Sequence, residues 1–327
     1  MRCKRQRNDE ETMAEKNISS SHFRWLTHQE SFVLMGTIVS IHIVGRETPR
    51  VMSQSVGRAL SAMRAVEMAC SRFDTQSAVT HLTRHPGELI EVPPALFYAL
   101  KIAQQMSELT EGVFDVTVGH SMEQFGFNRH YLTGDLVCSA VPHDSPVSYR
   151  DITLVEEIPA VVLAKPMVID LGAVAKGLAV DMARKELEGW DGFAIDAGGD
   201  VYVQGIDPQG EPWNIGVEHP NEGAGYMATL RGTNIAVATS GSYRRKSPVQ
   251  DDVHHLWNPV TGRSPHDILS LTVVAPWAVL ADAVATAAFL LGPHRALSFI
   301  EDLGLAGLMM NDNLFVDETA SMREYKL

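Results

Sequence analysis

The chain has 327 residues, 45% of them hydrophobic, which is enough for one large core or two smaller ones. Its 27 basic and 40 acidic residues give a net charge of −13, and no basic stripe offsets it, so a nucleic-acid partner is excluded. Three cysteines at irregular spacing form neither a disulfide framework nor a zinc pattern, which favours a reducing compartment.

Residues 1–25 are polar and of mixed charge, and are predicted to be a disordered tail. They lack the apolar stretch that a secretory or lipoprotein signal needs, so a cytoplasmic location is expected. No window approaches the roughly 20 apolar residues of a membrane span. A single domain is predicted over residues 26–327.

In the first half of this domain, two long helices and several strands are predicted. Residues 37–44 alternate as a strand does, and helical spacing follows over about 55–72. Two prolines at 93 and 94 begin a second helix, which Gly112 is placed to end. The polar segment 128–150 is interpreted as a long connection, and short strands are predicted near 152–155 and 160–163. The apolar run 167–169 is predicted to be another strand.

The second half is predicted to be dominated by strands. A helix over about 175–188 precedes a strand that enters a double-glycine turn at Gly198-Gly199. Short strands at 201–204, 213–217, 226–230 and 235–238 then favour an antiparallel sheet over βαβ repeats. A strand at 270–274, an apolar helix at 278–291, a helix at about 295–303 and a hairpin around 311–313 complete the chain.

The motif Asp170-Leu-Gly-Ala-Val-Ala-Lys-Gly177 lies where a predicted strand gives way to a helix. A helix N-terminus has unpaired N–H groups and the positive end of the helix dipole, so it suits an anionic ligand. A structural joint capped by Asp170 explains the same pattern equally well.

The apolar helix at 278–291 carries Asp282 and Thr286, whose four-residue spacing places the carboxylate and the hydroxyl on one face. A buried Asp must be paired or bind a cation, and no Lys or Arg lies within a turn. Oxygen ligands of this kind suit Mg²⁺. The alternative is a solvent-facing Asp, with Thr286 bonded back to its own helix.

Other residues are open to two interpretations. His255 is either a base for a reacting hydroxyl or a structural histidine beside a turn. Ser240-Gly241 either presents N–H groups to a phosphate or forms an ordinary turn. The aromatic residues either stack on a planar ring or belong to the core; they are Phe73, Phe125, Tyr243 and Trp257. No Walker A, Rossmann, HExxH or CxxC pattern is present, which removes the commonest nucleotide, dinucleotide, zinc-protease and redox functions.

Seven short motifs are more specific together than singly. In chain order they are Met35-Gly36-Thr37; Phe114-Asp115-Val116-Thr117-Val118-Gly119; Asp170 to Gly177; Asp196-Ala197-Gly198-Gly199-Asp200; Ala238-Thr239-Ser240-Gly241-Ser242-Tyr243; His255 with Pro259 and Thr261-Gly262; and Ala281-Asp282-Ala283-Val284-Ala285-Thr286-Ala287. In this order and spacing the chain resembles the ApbE family, the FAD:protein FMN transferases, from about Ser31 onward.

The resemblance implies a T-fold-like α+β architecture that binds FAD and Mg²⁺. It implies transfer of FMN from FAD to a Thr or Ser hydroxyl of an acceptor flavoprotein subunit, with release of AMP. It places the metal on the Ala173 carbonyl and the side chains of Asp282 and Thr286, and His255 as the base. The implied FAD contacts are Met35, Phe73, Asp170, Lys176, Ser240, Gly241 and Trp257.

Some residues depart from the family pattern. Asn258 stands where members often have Asp, and Ala285 occupies a position that is acidic in some members, which predicts weaker metal binding. Two other functions remain open: a Mg²⁺-dependent FAD pyrophosphatase, in which water replaces the protein hydroxyl, and a flavin-binding or delivery protein without activity.

Overall fold

The computed structural model describes residues 25–142, 145–221 and 223–327. Residues 1–24, which hold all but the last position of the predicted tail, lie outside the described residues. Trp25 is described, and the Arg46 guanidinium lies 4.9 Å from the centre of its ring. In the part of the chain that the structure describes, no helix is both long and apolar enough to cross a bilayer.

Thirteen strands and seven α-helices make up the described chain. The strands are β1 Leu26–Leu34, β2 Thr37–Gly45, β3 Ile90–Glu91, β4 Ile152–Val155, β5 Ala160–Leu163, β6 Gly192–Ala197, β7 Val201–Gly205, β8 Trp213–Glu218, β9 Tyr226–Gly232, β10 Ile235–Gly241, β11 Ile268–Ala275, β12 Ala306–Asn311 and β13 Val316–Glu318. The helices are α1 Pro49–Cys70, α2 Ala78–Thr83, α3 Pro94–Leu109, α4 Gly119–Gln124, α5 Ala175–Lys185, α6 Ala278–Leu291 and α7 Pro293–Asp302.

One large antiparallel sheet is the frame of the molecule. Its eight strands lie in the order β1-β2-β6-β7-β10-β11-β12-β13. The three-stranded sheet β3-β5-β4 and the pair β8-β9 are separate sheets, which in the described chain share no strand hydrogen bonds with it. Every strand pair is antiparallel, which confirms the prediction drawn from the density of short strands.

The large sheet is buried on both faces at its centre. Alternate residues of β10 show this, because Ala236 and Ala238 lie in a core with the helices, whereas Ile235 and Val237 lie in a second core with β8 and β9. Helix α6 is apolar on all sides because it packs against α5, α7 and the sheet at once. Gly292, with a φ of 80°, ends α6 in a backbone conformation that favours glycine.

Most predicted elements are confirmed, with shifted ends. The helix predicted over 55–72 begins earlier, at Pro49, where proline suits the first turn, and the helix predicted over 175–188 ends at Lys185. Strand β1 was not predicted, because as an edge strand with mostly exposed or partly exposed residues it lacks a clear apolar pattern.

The predicted strand at 167–169 is wrong. This buried segment is extended, but it joins none of the sheets described above. The Gly119 N–H donates to the Val168 carbonyl at 3.1 Å, and the Asp170 N–H donates to the Val116 carbonyl at 2.8 Å. A Cβ on Gly119 would lie 2.5 Å from the Val168 carbonyl oxygen, so this close approach requires glycine. The segment therefore packs on the motif 114–119 and leads directly into the 170–177 turn.

Two turns meet at one end of the large sheet. The register of β2 and β6 sets Val39 opposite Ala197, so the β1–β2 turn lies beside the β6–β7 turn. A Cβ on Gly198, whose φ is 70°, would lie 2.1 Å from the Thr37 hydroxyl oxygen. Glycine is required there because the two turns touch, and Asp200 lies two residues later, directly before β7.

Candidate active site

Helices α5 and α6 approach each other very closely at Gly177. A Cβ on Gly177 would lie 2.4 Å from the Ala278 carbonyl oxygen, so any side chain there would meet the backbone of α6. Asp181, one turn later in α5, accepts hydrogen bonds from the N–H groups of Ala278 at 3.1 Å and Val279 at 2.9 Å. Helix α5 thus caps α6 with a side chain and fixes its first turn.

This packing brings a lysine to the acidic residue of α6. Lys176 Nζ lies 2.5 Å from Asp200 Oδ2 and 3.1 Å from Asp282 Oδ2. The Gly177 N–H also donates to Asp282 Oδ2, at 3.2 Å. We call Lys176, Asp200 and Asp282 the lysine cluster. In the sequence, no Lys or Arg lies within one helical turn of Asp282. In the structure, Lys176 of helix α5 pairs with it.

Burial and charge act against each other in the lysine cluster. Burial alone would lower the pKa of Lys176, but the carboxylates of Asp200 and Asp282 outweigh it and raise that pKa above its ordinary value. Burial, followed by the negative charge of Asp282, raises the pKa of Asp200 to about 7, against the opposing effect of Lys176. Two carboxylates share one ammonium, so the cluster can accommodate further positive charge.

The oxygen atoms beside this cluster match what Mg²⁺ accepts. Thr286 Oγ1 lies 3.2 Å from Ser240 Oγ, at the end of β10, and Asp282 is one turn away on the same helix. In a regular helix the Gly177 N–H would bond the Ala173 carbonyl, but here it donates to Asp282. A carboxylate, a hydroxyl and a carbonyl are hard oxygen ligands of the kind that Mg²⁺ prefers.

Among the described residues, no cluster of metal-binding side chains completes that set. Within residues 25–142, 145–221 and 223–327, no group of three or more His, Cys, Asp or Glu side chains is arranged to hold a metal ion. Ala285 is fully buried in the core between Asp282 and Thr286. The expected ligands thus offer one carboxylate, one hydroxyl and one carbonyl, and the Asp200 carboxylate and the Ser240 hydroxyl are further oxygen groups beside them.

A second group surrounds Asp170. Arg72 Nε donates to Asp170 Oδ2 at 2.7 Å, and the Gly172 N–H donates to Asp170 Oδ1 at 2.8 Å. The Arg72 guanidinium also lies 4.2 Å from the centre of the Phe73 ring. We call Arg72, Phe73 and Asp170 the arginine cluster. Burial works to raise the pKa of Asp170, but Arg72 and the Gly172 N–H outweigh it, so the pKa lies below its ordinary value.

The two adjacent histidines have different environments. His254 is held at both ring nitrogens, by the Pro265 carbonyl at 2.7 Å and the Leu256 N–H at 3.2 Å, and is structural. His255 is partly buried, and its Nδ1 has no hydrogen-bond partner among the described residues. Burial, followed by the positive charges of Arg245 and Lys176, lowers the pKa of His255 to about 3. Its ring is therefore neutral at physiological pH.

Arg245 contributes to the site although no sequence motif marks it. Its side chain is exposed, but its positive charge acts on both Asp170 and His255. The backbone brings it there, because the His255 N–H donates to the Arg245 carbonyl at 3.2 Å. Only this long-range arrangement marks Arg245, so no local sequence signal could have found it.

The remaining predicted FAD contacts lie on turns and loops. Met35 occupies the β1–β2 turn with a φ of 53°, and its N–H donates to Glu67 Oε1 at 2.8 Å. Trp257 and Phe125 are both partly exposed, with ring centres 4.5 Å apart. Gly241 is buried against Tyr243, whose ring a Cβ would meet at 2.5 Å.

Asn258, which departs from the family pattern, has a structural role. Its side-chain oxygen accepts the N–H groups of Val260 at 3.0 Å and Thr261 at 3.1 Å. Its amide nitrogen donates to the Leu290 carbonyl at 3.3 Å, near the end of α6. An aspartate would keep the turn but would lack the donor to α6.

The predicted site residues thus form two groups whose members are in contact, and the others lie separately on turns, loops and the end of β10. Contacts join Lys176 to Asp282, and Ser240 to Thr286. Separate contacts join Asp170 to Arg72, and the turn 170–177 connects the two groups through the chain. His255 interacts with Lys176 through its charge, and among the described residues no hydrogen bond ties its ring to either cluster.

Comparison with known proteins gives one consistent result. The model of the ApbE family matches residues 35–309. An FAD:protein FMN transferase of Vibrio cholerae is 28% identical over 292 residues, which span 84% of this chain and 85% of that relative. One of Haemophilus influenzae is 30% identical over 245 residues, or 71% of each chain.

Solved structures agree with the sequence matches. The crystal structure of the ApbE protein from Thermotoga maritima superposes with a TM-score of 0.80 at 28% identity, covering 92% of this chain and 100% of that one. The flavin transferase ApbE from Vibrio cholerae gives a TM-score of 0.77 at 24% identity, covering 92% and 99%. The predicted α+β, ApbE-like fold is thereby confirmed.

Proposed function

The chain belongs to the ApbE family, and from this premise we propose that it is a Mg²⁺-dependent FAD:protein FMN transferase. In this proposal FMN passes from FAD to a Thr or Ser hydroxyl of an acceptor flavoprotein, and AMP is released. The observation that carries the proposal is the meeting of Lys176, Asp200 and Asp282 beside Thr286 and Ser240, at the N-terminus of α5.

A pyrophosphate needs local positive charge to approach a protein with a net charge of −13. Asp200 and Asp282 keep Lys176 protonated but also neutralise its charge, so Lys176 alone does not supply this positive charge. The N-terminus of α5 contributes the positive end of a helix dipole, although the N–H groups of Ala175 and Gly177 are already bonded to the Leu171 carbonyl and to Asp282. Bound to Ala173, Asp282 and Thr286, Mg²⁺ would add charge that stabilises the departing AMP.

The transfer exchanges one phosphorus–oxygen bond for another. The acceptor hydroxyl oxygen attacks the phosphorus on the FMN side of the pyrophosphate, and the bond from that phosphorus to the bridging oxygen breaks. AMP leaves with the bridging oxygen, and the hydroxyl proton passes to a base. The residues of the site serve to hold these atoms in line and to stabilise the charge that develops.

His255 fits the base because its ring is neutral and its buried Nδ1 has no hydrogen-bond partner among the described residues. A pKa of about 3 makes it a weak base in the protein without FAD. Its pKa is depressed partly by Arg245 and Lys176, whose charges a bound pyrophosphate would offset. FAD binding is therefore expected to make His255 a stronger base when it is needed.

The arginine cluster and Trp257 are proposed to hold the nucleotide and flavin parts of FAD. Phe73 and Trp257 present partly exposed aromatic rings, which suit stacking on a planar ring system. Asp170 is ionised and fixed by two donors, so it offers a placed hydrogen-bond acceptor. Met35 completes this set from the β1–β2 turn.

The direct test is to incubate the protein with FAD, Mg²⁺ and a protein that carries a Ser/Thr flavinylation motif. The expected result is an acceptor that carries covalent FMN and an equal amount of AMP. FMN and AMP that form without an acceptor would instead support the pyrophosphatase, and intact bound FAD would support a delivery protein.

The expected cytoplasmic location stays a prediction.

A further inference from the structure

We propose that Arg72 is a positioning residue that holds Asp170 and Phe73 in the orientation that FAD requires. This inference rests on the proposed function, because it concerns the same FAD site. Nothing in the resemblance to the ApbE family pointed to Arg72. In the sequence it is only the last residue of the helix predicted over about 55–72.

Arg72 lies inside the protein, and its main contact is with Asp170. It follows α1 by two residues, and its side chain is only 6% exposed. Its Nε donates to Asp170 Oδ2 at 2.7 Å, while the other carboxylate oxygen receives the Gly172 N–H at 2.8 Å. The carboxylate of Asp170 is therefore fixed from both sides, and Arg72 supplies one of the two contacts.

The same guanidinium touches two further segments. Its Nη2 donates to the Phe127 carbonyl at 2.5 Å, and its central carbon lies 4.2 Å from the centre of the Phe73 ring. The Phe127 contact reaches the segment that carries Phe125, which in turn contacts Trp257. One side chain thus connects three of the predicted FAD contacts, two of them directly.

Only arginine has the shape for these three contacts. Its planar group donates along one edge to Asp170 and Phe127 while its face lies over Phe73. A lysine at this position would bring one compact charge on a flexible stem and could not make all three contacts together. The arrangement therefore predicts that charge alone does not substitute for Arg72.

The experiment compares the wild-type protein with Arg72→Lys, Arg72→Met and the control Arg84→Met. Arg84 lies near Arg72 along the chain, and its Nη1 donates to the Thr75 carbonyl, with no contact to Asp170. The FAD dissociation constant is measured from flavin fluorescence, and KM and kcat are measured in the transfer assay. The melting temperature and the visible circular dichroism of bound flavin are recorded for each variant.

Both Arg72 variants are expected to weaken FAD binding and to raise KM for FAD by about 10- to 100-fold, with a smaller change in kcat at saturating FAD. The dichroism of bound flavin is expected to change, and Arg84→Met is expected to bind FAD as the wild type does. Arg72→Lys keeps the charge, so it tests the role even if Arg72→Met does not fold.

A double variant separates positioning from general stability. The double variant, Asp170→Asn with Arg72→Lys, is expected to bind FAD about as well as whichever single variant binds it less tightly. The two changes are not additive because both disturb the same contact, between Arg72 and Asp170. Unchanged FAD affinity in Arg72→Lys, or an equal loss in Arg84→Met, would overturn the role of Arg72 alone. FAD that binds normally but is never transferred would overturn only the proposed function. A wild-type protein that binds no FAD would overturn both.

Discussion

Lys176 Nζ lies 3.1 Å from Asp282 Oδ2, although the two residues are 106 positions apart in the chain. The contact exists because α5 and α6 touch at Gly177, and the second carboxylate, Asp200, arrives from the β6–β7 turn. A buried aspartate that the sequence left without a partner is therefore part of a charged cluster. The metal and FAD roles proposed for this region all depend on that cluster.

Asp282→Asn is predicted to lower the rate of flavin transfer by about 100- to 1,000-fold, because it removes the charge of one proposed Mg²⁺ ligand. The rate is measured at several Mg²⁺ concentrations, and the variant is expected to need more Mg²⁺ for the activity that remains. Asp302→Asn, at the exposed end of α7, is the control and is expected to behave as the wild type does. Full activity in Asp282→Asn would show that this carboxylate does not bind the metal.

Gly177→Ala is predicted to destabilise the protein by about 1–3 kcal/mol, because the new methyl group would push α5 away from the backbone of Ala278. Gly57→Ala is the matched control, since Gly57 lies in α1 and no atom of the described residues lies within 4 Å of a new Cβ. That change is expected to stabilise by up to about 1 kcal/mol through helix propensity. Urea unfolding of both variants checks the prediction, and equal effects in the two would contradict the close approach.

Asp181→Ala is predicted to cost about 1–2 kcal/mol of unfolding free energy, because the first N–H groups of α6 lose their acceptor. Asp181→Asn is expected to cost less, because its single side-chain oxygen can still accept one of the two bonds, which in the wild type go to Oδ1 and Oδ2. Burial raises the pKa of Asp181, so the folded protein disfavours the negative charge of this carboxylate. Asn has no charge and therefore avoids that cost. A larger loss in Asp181→Asn than in Asp181→Ala, again from urea unfolding, would argue against capping by this residue.

His255 is predicted to make the protein less stable as the pH falls below about 6.5. Its pKa in the folded state is lowered to about 3, so between these values the unfolded chain binds a proton that the folded protein does not. Above this window the ring is neutral in both states and the effect vanishes. The melting temperature of His255→Asn should therefore fall less than that of the wild type between about pH 7.5 and about pH 5.

A control variant and a spectroscopic measurement complete the pH test. His294→Asn changes an exposed histidine in α7 and gives the effect of the substitution itself. In the wild type, the ring signals of His255 in NMR spectra are expected to stay at their neutral positions down to about pH 5. A ring that titrates near pH 6.5 would contradict its burial among positive charges.

The sequence predicted what depends on local spacing. The common face of Asp282 and Thr286 follows from the helical period, and the helix N-terminus after Asp170 follows from its glycine turn. Most strands were found because apolar residues alternate along them. The predicted strand at 167–169 failed because three apolar residues look alike in a strand and in a buried extended segment.

What the sequence could not predict depends on how distant segments pack. Lys176 was expected to contact FAD, and no local pattern could show its bonds to Asp200 and Asp282. Arg72 and Arg245 act on Asp170 from two other parts of the chain, and neither lies at a distinctive spacing from it. The placement of charges in this site is thus a property of the tertiary fold.

The most direct test of the account is the intact mass of an acceptor protein with a Ser/Thr flavinylation motif after incubation with FAD and Mg²⁺. With the wild-type protein, the account predicts a mass increase of one FMN less one water, one AMP per modified acceptor, and loss of the product when Mg²⁺ is chelated. With Asp282→Asn, it predicts little or no modified acceptor in the same time. Several acceptors that stay unmodified, with no AMP released by the wild-type protein, would contradict it.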